Sequence, residues 1–208
     1  MKRSICICSI MLSLLIMSAV AAFALESLPD RTGFSVGAET RYDAYASVRM
    51  HHHGVVMGYQ NAHHGYSFTG ATGYGLITAP GVRTESQYFG IAGAYRVLTV
   101  RGVAVGATGE FSTTPPFNEA LVPQNVVGVL VPRGAVEAKV GLIAQARPMK
   151  NLSVYAGPMM LWIDGPVHEK SVGGFIGAKY KIFDRLAVVG DVVGAGRLHY
   201  SAAVTYHF

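Results

Sequence analysis

The chain has 208 residues, of which 50% are hydrophobic and only 14% charged, with 25 glycines. That length allows one domain or two small ones, and the absence of like-charge runs and low-complexity tracts argues against a disordered tail. A formal charge of +5 gives little support to nucleic-acid binding.

Residues 1–24 read as a targeting segment. Lys2 and Arg3 form a basic head, an apolar run extends to Ala24, and Ala22-Phe23-Ala24 is a small-x-small exit. This is the pattern of a secretory signal peptide, cleaved after Ala24 to leave a domain over 25–208; an uncleaved anchor is the alternative. Cleavage removes Lys2, Arg3 and no acid, lowering the formal charge from +5 to +3. It also removes Cys6 and Cys8, the only cysteines, so no disulfide or cysteine metal site is expected. No later segment has the ~18 or more uninterrupted apolar residues of a membrane-crossing helix.

From Gly33 onward the chain alternates with a period of two, the mark of strands with one apolar and one polar face. Phe34, Val36, Ala38, Thr40, Tyr42 and Ala44 oppose Ser35, Gly37, Glu39, Arg41, Asp43 and Tyr45. Residues 46–85 resist assignment. The piece from Tyr66 to Thr78 alternates, and paired with 52–60 it would form a hairpin above the wall or two further wall strands. Weaker alternation covers 86–96 and 100–111. It sharpens in Val136, Ala138, Val140, Leu142, Ala144 and Ala146 against Glu137, Lys139, Gly141, Ile143, Gln145 and Arg147. Strands follow at 152–162, 174–182 and 186–193. The last alternates Leu198, Tyr200, Ala202, Val204, Tyr206 and Phe208 with Arg197, His199, Ser201, Ala203, Thr205 and His207.

The sum is about eight strands of the length a tilted membrane-crossing strand needs, with ten as the alternative. Tight turns are expected at 96–99, 148–151 and 183–185, and long connections at 46–85, 113–134 and 163–171. Aromatic residues fall near strand ends: Tyr95, Tyr180, Tyr206 and Phe208 on the short-turn side, and Tyr42, Phe111 and Trp162 on the other. Such girdles mark membrane interfaces. The predicted fold class is therefore all-β, a transmembrane antiparallel up-and-down β-barrel.

The alternating C-terminal strand ending on Phe208 carries the sharpest resemblance. With the pattern of the preceding strands, it is similar to the small OmpA/OmpX/OmpW-type outer-membrane β-barrels of Gram-negative bacteria. The resemblance covers nearly all of residues 25–208 and rests on pattern, not on one motif. It implies Sec export, residence in the bacterial cell outer membrane, and contact with its lipids and lipopolysaccharide. It also implies that Tyr200, Val204, Tyr206 and Phe208 form the signal read by the barrel assembly machinery.

The polar faces set the candidate sites. Glu39, Arg41, Asp43, Glu110, Glu137, Lys139, Lys179, Lys181, Asp191 and Arg197 point inward. Isolated buried charge is very costly, so an ion-pair network filling the lumen is expected. Such a network suits a non-enzymatic structural anchor or scaffold for surface loops, with surface-antigen character. A small channel or transporter for hydrophobic or small polar solutes, as proposed for OmpW-like barrels, is the alternative. His51, His52, His53, His63 and His64 fall in one segment. If a hairpin reverses near 60–62, His51, His53, His63 and His64 would offer imidazoles to a divalent transition metal; otherwise no cofactor is expected. The apolar stretch at 126–131 suggests either a port for a hydrophobic solute or strand extension. His199-Tyr200-Ser201 resembles the His-x-Ser element of lipid A deacylases, a barrel enzyme family. The period of two turns both residues inward, away from lipid, so no enzyme and no catalytic residue is expected.

Overall fold

A sheet with one apolar and one polar face leaves backbone groups unpaired at its edges, and closure removes those edges. In the computed structural model the sheet closes: its strands run antiparallel, each pairs with its sequence neighbours, and the last pairs with the first. The structure describes residues 27–45, 48–79, 82–114, 135–164, 168–196 and 198–208. The signal peptide assigned to 1–24, the apolar stretch at 126–131 and Arg197 lie outside the described residues.

The strands are β1 (Gly33–Tyr45), β2 (Val48–Asn61), β3 (Tyr66–Ala79), β4 (Val82–Val100), β5 (Val103–Thr114), β6 (Ala135–Met149), β7 (Leu152–Asp164), β8 (Glu169–Lys181), β9 (Leu186–Gly194) and β10 (Leu198–His207). Among the described residues there are ten strands, the alternative to the eight expected. The two additional ones are β2 and β3, which pair in continuous register from Arg49↔Thr78 to Asn61↔Tyr66. Glycines at 54 and 58 on β2 and at 73 and 75 on β3 leave much of the inner face without polar side chains to mark it, so the alternation is weak in sequence although the backbone ladder is unbroken.

The connections also differ from the expected alternation. β1 and β2 join across 46–47 and β3 and β4 across 80–81, so the predicted long connection at 46–85 is wall. The turn expected at 96–99 falls instead at Arg101-Gly102. Both residues have positive φ, 49° and 82°, as a two-residue primed hairpin requires. The misreading has a physical source. A register shift between Arg96 and Leu98 puts Val97 and Leu98 both at the surface, and a bulge breaks the period of two just as a turn does.

The outward face is an apolar belt. Val140, Leu142, Met160, Val172 and Ile176 are exposed, alongside Phe34, Met57, Phe68 and Ile91 from the other side of the wall. The inner face is mixed. Ile143, Tyr155, Met159, Leu161, Phe175 and Val193 make one buried apolar cluster, which places it on β6–β9. A smaller one holds Val56, Ala71, Tyr88 and Ala92.

One feature lies outside the wall. Residues 27–32 cross the barrel mouth as a strap before β1 begins. Ser27, Leu28 and Pro29 are buried, and Leu28 joins the cluster of Ile143 and Tyr155. Gln145 Nε2 donates to the Leu28 carbonyl at 3.2 Å, and Ser67 Oγ donates to that of Ser27 at 3.3 Å. This mouth, with the turns at 62–65, 101–102, 150–151 and 182–185 and with Phe208, is the strap end of the barrel; the opposite rim is the far end.

Candidate functional site: an ion-paired lumen

Because β1 and β6 lie on opposite walls of the closed sheet, a long inward side chain on one can reach the other. Arg41 on β1 does so. Its Nε meets Asp43 on the same strand at 2.7 Å, Nη1 meets Glu110 of β5 at 2.9 Å, and Nη2 meets Glu137 of β6 at 2.7 Å. Lys139 of β6 lies 3.0 Å from both Glu110 and Glu137. All five side chains are buried, Lys139 at 1% exposure. The guanidinium fork suits this task because it presents several N–H donors in one plane, one group for three carboxylates.

Two cations thus face three carboxylates, and a histidine ring adds a hydrogen bond to one of them: His199 Nδ1 lies 2.6 Å from Asp43 Oδ1, where an N–H on that nitrogen would donate to the carboxylate. Glu39 accepts from the Tyr88 hydroxyl of β4, and Asp191 accepts from Ser201. The structure therefore gathers Arg41, Asp43, Glu110, Glu137 and Lys139 into one network, and Glu39 and Asp191 each take a hydroxyl donor. Lys179 belongs to the strap end. It pairs with Asp30 of the strap at 2.9 Å, where Lys181 and, at 3.6 Å, Arg147 also converge. Burial pushes the Asp30 carboxyl up, but the charges and hydrogen bonds of Lys179 and Lys181 outweigh it and hold the group well below the ordinary carboxylate range.

The histidines do not converge. His51 and His53 face outward near the far end, and His51 packs its ring on Tyr42 at 4.6 Å. His63 and His64 sit in the turn at the strap end, edge to face at 5.0 Å. Most of β2 separates the two pairs, roughly 30 Å at the usual rise of a strand. Among the described residues no group of three or more His, Cys, Asp or Glu is placed to hold a metal ion. The expected convergence fails because the segment between the clusters is itself a wall strand. His52, the member of the run that sequence analysis set aside, is the one that enters the lumen. It is 3% exposed and lies 4.9 Å from the Tyr88 ring, with neither nitrogen hydrogen-bonded.

His199 and Ser201 are both buried in the lumen. Tyr200, Tyr206 and Phe208 are exposed on the outer wall, and Val204 is half-buried beside them. Tyr206 and Phe208 meet edge to face at 5.3 Å.

Three contributors escaped sequence analysis: Asp30, Leu28 and Tyr88. Tyr88 is in phase with inward Ala92 and Ala94, and that phase was a usable signal. Nothing in the local pattern of Leu28-Pro29-Asp30 announces a lumen strap.

No protein-family model matches the chain, nor does any curated protein. Among solved structures the chain is similar to a porin whose structure was refined at 1.8 Å resolution. The likeness has 14% identity and a TM-score of 0.32, and covers 82% of this chain and 60% of the porin chain.

Proposed function

We propose that the protein is a stoppered outer-membrane β-barrel, a non-enzymatic anchor that holds its far-end connections at the cell surface. The observation that carries this reading is Arg41 bound to Glu110 and Glu137 on the facing wall. A bridge across the lumen, rather than along its wall, closes the path a solute would take. The strap closes the same path a second time at its own end.

The membrane part of the reading rests on the outer face. A continuous belt of exposed Val, Leu, Ile, Met and Phe around the barrel exceeds the apolar patches that soluble monomers carry. Tyr95, Tyr180 and Tyr206 toward one rim, and Phe111, Trp162 and Tyr74 toward the other, fit two interfacial girdles. Lipids and lipopolysaccharide would contact this belt. The assembly machinery would read the β10 face ending in Phe208, so deleting Phe208 is expected to lower folded yield without blocking export.

Conductance in a planar bilayer is the test. The refolded protein should produce no stepwise current. Reproducible single-channel steps would favour the small-channel reading and overturn the anchor.

A further inference from the structure

The strap end carries cations that the wall and the strap leave incompletely paired. Arg96 of β4 and Arg147 of β6 line one flank of the strap, and Arg31 rides on the strap itself. Arg96 gives one N–H to the Ala62 carbonyl. Arg147 stands 3.6 Å from Asp30, beyond a good hydrogen bond, and its side chain is 48% exposed. Arg31 Nη1 donates to the Asp184 carbonyl, while its Nε and Nη2 are buried without a hydrogen-bond partner. Among the described residues, the one carboxylate paired with any of these groups is that of Asp30.

A cavity of about 240 Å³ opens between the strap and the wall here. It is lined by Leu28, Pro29 and Asp30 on one side and by Arg96, Gln145 and Arg147 on the other. Its volume is roughly that of eight water molecules in the liquid. Gln145 adds a distinct signal. Its Nε2 is used on the Leu28 carbonyl, and its Oε1 is buried with nothing to accept from. The cavity thus offers guanidinium donors for anionic oxygens, beside a buried Gln145 oxygen that has no donor of its own. Pyrophosphate brings more negative charge and more acceptor oxygens to such donors than sulfate does.

We propose that this cavity binds a phosphate-bearing anion, with Arg96 and Arg147 as its donors and Asp30 as a built-in competitor for Arg147. Guanidinium groups match phosphate oxygens in a planar, bidentate fashion. The site shares the seated strap with the anchor reading, and the two are tested apart, the anchor by conductance and the site by calorimetry.

The test is calorimetric titration of the refolded full chain with pyrophosphate at low salt, in an uncharged, phosphate-free detergent. Wild type should bind pyrophosphate more tightly than sulfate. Arg147→Gln should weaken binding roughly tenfold, the scale of one lost charge-assisted contact, and adding Arg96→Gln should weaken it further. Asp30→Asn should strengthen it. Arg147 is half-exposed, so the single variant isolates binding from folding, which heat-modifiable gel migration confirms for each protein. Adding phosphatidylglycerol to the micelles assigns the ligand: competition with pyrophosphate points to a lipid headgroup, and its absence to a soluble phosphate. Equal heats from wild type and both arginine variants, including no heat at all, would overturn the site.

Discussion

Arg41 and Glu137 stand on opposite walls of the barrel and meet at 2.7 Å, so the lumen is braced across its diameter. Removing one partner of a buried pair leaves an uncompensated charge, a loss of about 3–5 kcal/mol. Arg41 serves three carboxylates, and Arg41→Met is therefore predicted to fall in that range. Urea titration of the folded fraction in lipid vesicles measures it. A loss below ~1 kcal/mol, the scale of an exposed pair, would show that the bridge is dispensable.

The wall itself is testable through strand phase. Lys139 is buried and Val140 is 65% exposed, one residue apart on β6. If the outer face meets hydrocarbon, Val140→Arg should cost about 2–4 kcal/mol near the midplane. Val140→Leu should change little, because it preserves an apolar group in the same place. The comparison is made by urea unfolding in vesicles, and equal stability of the two variants would remove hydrocarbon from that face.

How far the sequence reaches is seen by setting β6 against β2 and β4. On β6 the charges Glu137 and Lys139 alternate with Val136, Ala138 and Val140, so one residue type reports each face and the phase is plain. On β2 histidine occupies both faces, and glycine takes the inner positions 54 and 58 where a charge would have marked the lumen. Its outward His51 and His53 look like ligands only until the strand between them and His63 is counted. On β4 the bulge near Val97 erases the phase over the very residues that would locate the turn. The polar lumen was legible because buried charge must pair. Which charge pairs with which was not, because a register fixes neighbours along the sheet while Arg41 reaches across it. The strap was illegible for another reason: a single crossing has no period.

Asp30 makes the strap sensitive to acid. Its carboxyl is held below the ordinary range in the folded protein by Lys179 and Lys181, against the opposing effect of burial. A group whose folded pKa is lowered contributes stability that is complete above its unfolded value, about 3.9 for Asp. That contribution fades as pH falls from there toward the folded value. The stability difference between wild type and Asp30→Asn is therefore predicted to be flat from neutral pH to about pH 5 and to shrink below about pH 4. Urea midpoints across that range decide it. A difference that persists unchanged in acid would mean the strap is held by Leu28 packing and not by the Asp30 charge.

His52 presents a problem of space as well as polarity. Its imidazole lies between the Tyr88 ring, 4.9 Å away, and the backbone of Gly75 on β3. A Cβ built at Gly75 would fall on the imidazole carbon Cδ2, so the absence of a side chain there is what admits the ring. Gly75→Ala must displace the histidine or shift the strand, and overpacking of this kind costs about 1–3 kcal/mol. If the clash with His52 is the cause, shortening the histidine removes it. In His52→Ala the substitution Gly75→Ala should then be nearly harmless, and the pair should show a coupling of about 1 kcal/mol or more. Four urea titrations, of wild type, the two single variants and the double, close the cycle. Additive losses would place the cost of a side chain at Gly75 in the β2–β3 backbone, not in the histidine that the lumen encloses.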